Sequence, residues 1–597
     1  MPYYFIGMLL CGSALMAQEI NWLQMPTQQL NQPHRYQLFQ QLVDDFIVDE
    51  KIIDIFASQS QQQKLASAGF NFTVKQVDLN QFYAQRAQRG LRSGQRLGGF
   101  RSHEQINQHL RQLVQQYPQT VALLSLGLSY EGREILAVRL SDNPQQYEPQ
   151  EPTVWFDALH HAREPMSAES LLYWLDWLLA HQQQTEIQRL LQTRNILIIP
   201  CVNPDGYAYN QQLFPNGGGL WRKNRRQNDD GSYGVDLNRN YGWEWGNNKG
   251  SSGLPNNQSY RGESPFSEPE TEKMQQLLHE QPPNISISVH SFGNQWMYPW
   301  GYQSQPTDDI RRFEYYSTLM TNKNHYDNRS AWALFGATNG ASDDYHYGQL
   351  NSLAFTVEVG GREDGFWPKP ERIEPLSQTV LSGYQMAVKT AGTWLSVKNR
   401  RIEIINDQQA QLIISVENQG TMNFIGQIGV DFGQTTIHSE PQNQQLNAMA
   451  STEWRFPLQL DQAINQPQLL FELTSDYEGF YQREKMWVNT GIDSQIQLQV
   501  NHELYSQQTL IIQQQSPANR WLEIYYAQDF TQKDNKITLI NPQLLFAGRS
   551  DDNGQKQWQL NLTAPLPFTG ETLYLQATMQ TDGQTQHSPI QAVEMLY

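Results

Sequence analysis

Leu159-His160-His161-Ala162-Arg163-Glu164-Pro165 is the stretch around which the rest of the chain is organised. The apolar run that leads into it, Val154-Trp155-Phe156-Asp157-Ala158, reads as a buried strand. Beyond it, Leu171, Leu172, Trp174, Leu175, Leu178 and Leu179 recur at helical spacing. Pro165 suits the first turn of that helix, where a missing N–H costs little. His161 and Glu164 therefore share a strand-to-helix turn and can face one centre. An imidazole with a carboxylate suits zinc, and a catalytic zinc takes three protein ligands plus one open position. A lone His-x-x-Glu arises often by chance, so the weight falls on what the chain supplies elsewhere.

From residue 100 to about 398, strands alternate with helices. Residues 105–117 are expected as an amphipathic helix, and 121–128 and 135–140 as strands. The strand at 154–159 follows, then strands at 196–201, 285–289 and 353–359, and a closing helix over 376–397. This predicts an α/β domain with a mixed sheet and helices on its faces. Sites in such sheets gather at the carboxyl ends of the strands.

Two further residues stand where such a site would need them. The run Ile285-Ser286-Ile287-Ser288-Val289 alternates, and His290 stands where that strand ends, which makes it the candidate third ligand. Glu358 lies in the apolar strand Ala354-Phe355-Thr356-Val357-Glu358-Val359. A buried carboxylate is costly unless it is paired or used, so Glu358 is either salt-bridged to a buried Arg or a general base for an attacking water. Asn238 and Arg239 place an amide beside a guanidinium, which forks onto carboxylates through two parallel hydrogen bonds. Arg222, in Trp221-Arg222-Lys223, is a further fixed cation.

Together these residues match a family. The chain resembles the zinc metallocarboxypeptidases of the carboxypeptidase A/B type, including bacterial secreted members. The resemblance runs over residues 100–397, half the chain. It rests on His161-x-x-Glu164, Asn203-Pro204-Asp205-Gly206-Tyr207, Trp221-Arg222-Lys223, the segment 236–240, Phe266-Ser267-Glu268-Pro269-Glu270-Thr271, His290-Ser291 and Thr356-Val357-Glu358. It implies one Zn2+ per catalytic domain, held by His161, Glu164 and His290. It implies Glu358 as the base and Arg222 as the group that polarises the scissile carbonyl. Asn238 and Arg239 would grip the terminal carboxylate and Arg163 would line the neighbouring subsite. Asp236 would orient His161 from behind. His160 competes with His161 as ligand, but the family register favours His161. The family carries a mobile tyrosine four or five residues before the glycine matched by Gly340. Phe335 and Gly336 stand there instead, with Tyr345 and Tyr347 as possible substitutes. Counting back from Glu358, Asp344 matches an aspartate common to both types, and Asp343 falls at the base of the pocket for the C-terminal side chain. The B-type enzymes carry an aspartate there, so the resemblance implies release of Lys and Arg.

The expected activity is that of a secreted zinc metallocarboxypeptidase acting on peptides or proteins with a free C-terminal carboxylate. The alternatives are a broad-specificity enzyme, an amidase or peptidase acting on cell-wall peptides, and a non-catalytic binding protein on the same fold.

The remaining sequence sets the context. At 597 residues the chain holds several domains. With 42 basic and 60 acidic residues its formal charge is −18, which disfavours nucleic acid as a partner; solubility accounts for the excess as well. Residues 1–17 are apolar and read as a signal peptide cleaved near Ala17, although no Lys or Arg precedes them. Cys11 has no small residue before it, which argues against a lipid anchor, and Cys201 is expected as a buried small hydrophobe. No other run is long and apolar enough to span a bilayer.

Residues 18–97 read as a small α+β unit, with strands at 51–56 and 72–77 and a helix at 59–67, resembling a propeptide and ending in a linker. That linker, 85–101, carries Arg86, Arg89, Arg92, Arg96 and Arg101 and reads as exposed and cleavable. Residues 98–398 are the expected catalytic domain. Short alternating strands split by Asn, Gly, Asp and Gln follow. They suggest β-sandwiches at 399–494 and 495–597, which could bind a surface or substrate.

Overall fold

The computed structural model describes residues 19–48, 51–88, 97–247, 250–433 and 437–461, and beyond those the strands that lie between 468 and 595. The expected signal peptide lies outside the described residues. The chain divides into two compact units, residues 1–388 and 389–597.

A seven-stranded mixed sheet forms the centre of the first unit. Its order is Gln295–Met297, Leu353–Glu358, Ile285–His290, Thr153–Ala158, Asn195–Ile199, Glu134–Leu140, Val121–Leu128. The four middle strands run parallel, and the three outer pairings are antiparallel. The parallel strands are buried on both faces, which is why they read as near-continuous apolar runs. Alternation sends Trp155 to one face, among Leu197, Met274 and Tyr345, and Phe156 to the other, against Trp174 and Tyr384. Helices therefore cover both faces, as the α/β reading requires. Among the described residues no helix is long and apolar enough to cross a membrane.

Before this sheet, Phe46–Val48, Ile52–Ser58, Ile20–Pro26 and Thr73–Gln76 form a four-stranded antiparallel sheet. Leu23, Phe39, Ile53, Ile55 and Leu65 make its core with two helices, Pro33–Leu42 and Gln59–Ser67. Ser58 and Gln61 cap the second helix reciprocally, each accepting from the other's backbone N–H.

The expected exposed linker is corrected at both ends. Arg86 lies on the helix Leu79–Gln88 and donates to the carbonyls of Glu363, Asp364 and Trp367. Arg101 pairs with the carboxylate of Glu169. Both guanidiniums are tied to partners on the fold rather than free in solvent. Arg89, Arg92 and Arg96 lie outside the described residues. The closing helix also differs from expectation: it spans Ile373–Thr390, and Leu395 already begins a strand.

In the second unit, Leu395–Asn406, Gln409–Asn418, Ser451–Leu460 and Ile437–His438 form one sheet. Gln442–Leu446, Phe424–Asp431, Gln468–Tyr477 and Phe480–Asn489 form a second. Leu412, Ile414, Phe424, Ile428, Trp454 and Phe456 fill the space between them, giving a sandwich. Beyond it the chain is again β, with a three-stranded, a six-stranded and a two-stranded sheet among the described residues.

Candidate functional site

The site stands at the carboxyl ends of three adjacent parallel strands. In the sheet register Ala158 and Glu358 flank the end of the Ile285–His290 strand, with Glu358 directly opposite His290. The turn after Ala158 is made by Leu159 at φ 56°, a left-handed conformation that a branched side chain rarely adopts. Asn203 N–H donates to the Leu159 carbonyl at 3.0 Å, and Leu159 N–H donates to Ser167 Oγ at 3.2 Å. Glu164 is the N-cap of the helix Pro165–Ala180, with Pro165 in its first turn as expected.

This turn separates the two histidines. His160 is fully buried, its Nε2 2.8 Å from Tyr241 Oη and its Nδ1 3.3 Å from Asp157 Oδ1. His161 points to the cavity, and its Nδ1 lies 3.0 Å from Glu164 Oε1 and 3.0 Å from His290 Nδ1. His290 Nδ1 is 2.9 Å from Glu164 Oε2. Three donor atoms thus converge from two strand ends and one helix cap. Two imidazole nitrogens facing each other at 3.0 Å need a cation or a proton between them. Ligand atoms about 2.0–2.2 Å from one tetrahedral ion lie roughly 3.3 Å apart, so the group fits zinc. Burial works against ionisation of Glu164, but His161 and His290 outweigh it and hold the carboxyl well below its usual range.

Asp236, fully buried, joins two members of the site. Its Oδ1 lies 3.2 Å from His161 Nε2, and its Oδ2 accepts from Arg222 Nη2 at 2.8 Å and Nε at 3.1 Å. Against the cost of burial, Arg222 and His161 hold the Asp236 carboxyl far below its usual range. Arg222 is thereby aimed at the metal group, with Nη1 3.9 Å from Glu164 Oε1. Asn238 and Arg239 follow on a short 3-10 turn that Asp236 caps. The Nε of Arg239 is buried without a hydrogen-bond partner, which suits an anion arriving from the cavity.

One cavity of about 660 Å³ is lined by His161, Arg163, Glu164, Arg222, Asn238, Arg239, His290, Asp343 and Glu358. It therefore gathers every site residue expected from the sequence except Asp236, which stands behind it. Among the described residues no hydrogen bond or ion pair engages the Glu358 carboxylate, so the salt-bridge alternative is not the one realised. Burial and the nearby Glu164 raise its pKa well above the usual range, while Arg222 and Arg163 pull it down. Asp343 is 4 % exposed; its Oδ2 accepts from Thr356 Oγ1 at 3.0 Å and its Oδ1 from the Asp344 N–H at 2.9 Å. Asp344 is turned away and accepts from the backbone N–H groups of Gly301 and Tyr302.

Arg163 lines the cavity but is already engaged by another side chain, and neither candidate tyrosine stands there. The Arg163 guanidinium is forked onto Asp45, with Nη2 2.7 Å from Oδ1, and lies over the Phe366 ring. Neither Tyr345 nor Tyr347 reaches the cavity: Tyr345 packs on Tyr241 and Phe266, and Tyr347 hydrogen-bonds Asp309. The side chain at the expected tyrosine position is Phe335, which does line the cavity. Asp45 and Phe366 were not read from the sequence, because nothing local distinguishes them, and Thr356 was read within its motif but not as a partner of Asp343. Asp157 was also missed, although a carboxylate in an apolar strand was the signal that exposed Glu358.

The zinc carboxypeptidase family model matches residues 106–383. The chain is 31% identical over 303 residues to the zinc carboxypeptidase of Simulium vittatum, covering 48% of this chain and 94% of that one. It is 29% identical over 302 residues to carboxypeptidase B of Astacus astacus, covering 48% and 95%. The crystal structure of carboxypeptidase A from Helicoverpa armigera superposes with a TM-score of 0.55 at 22% identity, over 63% of this chain and 98% of that one, a likeness of fold.

Proposed function

The chain belongs to the zinc carboxypeptidase family and is a zinc-dependent peptide hydrolase; from that premise we propose that it is a secreted enzyme that releases C-terminal Lys and Arg, using the residues gathered in the 660 Å³ cavity. When bound by His161, Glu164 and His290, zinc supplies Lewis acidity toward the attacking water and the scissile carbonyl. Glu358 takes the proton of that water and delivers it to the leaving amine nitrogen. Arg222, braced by Asp236, meets the negative charge that develops on the carbonyl oxygen. Asn238 and Arg239 hold the substrate's terminal carboxylate, which favours a peptide with a free C-terminus over an amidated wall fragment. The non-catalytic alternative has no support in the residues, since metal group, base and anion clamp stand together.

The observation that carries the specificity is Asp343, a buried carboxylate in the same cavity as Glu358. A Lys or Arg side chain supplies the cation that offsets its desolvation, whereas Phe or Leu leaves the charge unpaired. The name carboxypeptidase B of the Astacus astacus protein agrees with this type. Matched peptides ending in Arg, Lys, Phe and Leu test it. Wild type should cleave the basic pair at least about tenfold faster, and Asp343→Ile should reverse the preference. Preference of the wild type for Phe or Leu would remove Asp343 from this role.

We infer further that residues 18–97 act as a pro-like unit on a catalytic domain at 98–398, followed by sandwich domains at 399–494 and 495–597. Support comes from the cavity wall itself. Gln37, Gln40, Gln41 and residues 43–47 line it, and Asp45 occupies Arg163. A second carboxylate, Asp54, pairs with Arg362.

A further inference from the structure

His290 presents Nδ1 to Glu164 and His161, 2.9 and 3.0 Å away. A histidine that ligates through Nδ1 carries its ring proton on Nε2, and a buried Nε2–H needs an acceptor. Two groups lie in reach, Asn238 Nδ2 and Ser288 Oγ, each at 3.3 Å. The Asn238 nitrogen is itself a donor. Turning that amide over would break the bond in which its Oδ1 accepts from the Ser342 N–H at 2.9 Å. Ser288 Oγ is the acceptor that remains.

What makes Ser288 accept is the carboxylate on its other side. Ser288 Oγ donates to Asp157 Oδ1 at 2.7 Å. Asp157 is fully buried in the central strand, and its Oδ2 is held by Trp155 Nε1 at 2.7 Å. With its own proton committed to Asp157, the Ser288 hydroxyl can offer His290 only a lone pair. His161 receives the same support directly, from Asp236 at 3.2 Å. The two imidazoles of the metal group are thus each backed by a carboxylate, one in contact and one through a hydroxyl.

We propose that Asp157 and Ser288 are positioning residues for the metal site: Ser288, oriented by Asp157, fixes His290 in its Nε2–H tautomer with Nδ1 free to bind zinc. This rests on the zinc reading given above. Outer partners of this kind are worth about 10–100-fold in metal affinity.

The test is zinc affinity of the full chain by competition with a chelator, for wild type, Ser288→Ala, Ser288→Thr and Asp157→Asn. Ser288→Ala and Asp157→Asn should bind zinc about 10–100-fold more weakly, and Ser288→Thr, which keeps the hydroxyl, should stay within about threefold of wild type. On the unmodified zinc-loaded chain, ¹⁵N-histidine NMR should place the His290 ring proton on Nε2, in slow exchange with water. Wild-type affinity in Ser288→Ala overturns the proposal, as does a wild-type spectrum with the proton on Nδ1. Should Ser288→Ala not fold, that spectrum decides. Absence of zinc binding by the wild type would remove the metal reading as well, which separates the two failures.

Discussion

Leu159 sits at φ 56° between a buried strand and a helix, and its side chain is 1 % exposed. That one conformation turns His160 under the sheet end, to Tyr241, and His161 out to Glu164 and His290. Strain of this kind costs about 1–3 kcal/mol and persists where surrounding contacts hold it, here the bonds to Asn203 and Ser167. Glu358 shows the converse economy, a carboxylate left without a partner beside the metal group. Glu358→Gln keeps its size and loses only its capacity to take a proton. Turnover of a C-terminal Arg peptide should fall at least about 10²-fold with zinc content unchanged. Near wild-type turnover would mean that another residue is the base.

At the scale of elements, the helix Pro269–Glu280 buries a carboxylate that the site does not touch. Glu270 accepts from the Tyr130 N–H at 3.2 Å and from Asn224 Nδ2 at 3.3 Å. Burial pushes its pKa up to about 8 from an ordinary 4.5, with Asp205 and Glu268 adding to the rise. The folded chain therefore keeps a proton there that the unfolded chain gives up. The stability this confers is complete below about pH 4.5 and is lost as pH climbs through about 8. Glu270→Gln, which mimics the protonated form, should match wild type near pH 5 and melt a few degrees higher at pH 8. Parallel Tm-against-pH curves for the two proteins would refute a raised Glu270.

The N-terminal sheet gives a second test at this scale. Asp45 and Asp54 reach Arg163 and Arg362, so the unit is docked by side chains and not by the linker alone. Limited trypsin treatment, with cutting at Arg89, Arg92 or Arg96 verified by mass spectrometry, should raise peptidase activity several-fold. No rise after verified cutting would make residues 18–97 a permanent accessory unit. Because both ion pairs outlast the cut, activation should be slower than cleavage.

At the scale of the whole molecule, the three proposed ligands lie on two strand ends and a helix cap, with His161 and His290 129 residues apart. An ion bound to the folded chain alone stabilises it by mass action, about 4 kcal/mol at a thousandfold excess over Kd. Chelation should therefore lower the melting temperature of wild type by several degrees, reversibly with added zinc. His290→Ala should start at the lower value and ignore the chelator. Equal melting of wild type with and without chelator would argue that the ion contributes nothing to the fold.

Much of this was present in local sequence. Strand, turn and helix around His161 follow from apolar periodicity and Pro165, and the ligand spacing follows from the turn between them. Residues that break a local rule were the legible ones, such as Glu358 in an apolar strand. Arginine pairing was not legible. Arg86 and Arg101 sit among Gly, Gln and Ser in a stretch that looks solvated, yet their partners at 363–367 and 169 arrive from far along the chain. The same holds for Asp45 on Arg163 and for Ser288 between Asp157 and His290. Sequence by itself determined which side chains could bind a metal, take a proton or hold a carboxylate, because those capacities belong to single residues and their immediate spacing. Only the tertiary structure decided which histidine faces the cavity, which carboxylate stays unpaired and what closes over the site. Those outcomes depend on distances between groups that the chain separates by up to hundreds of residues.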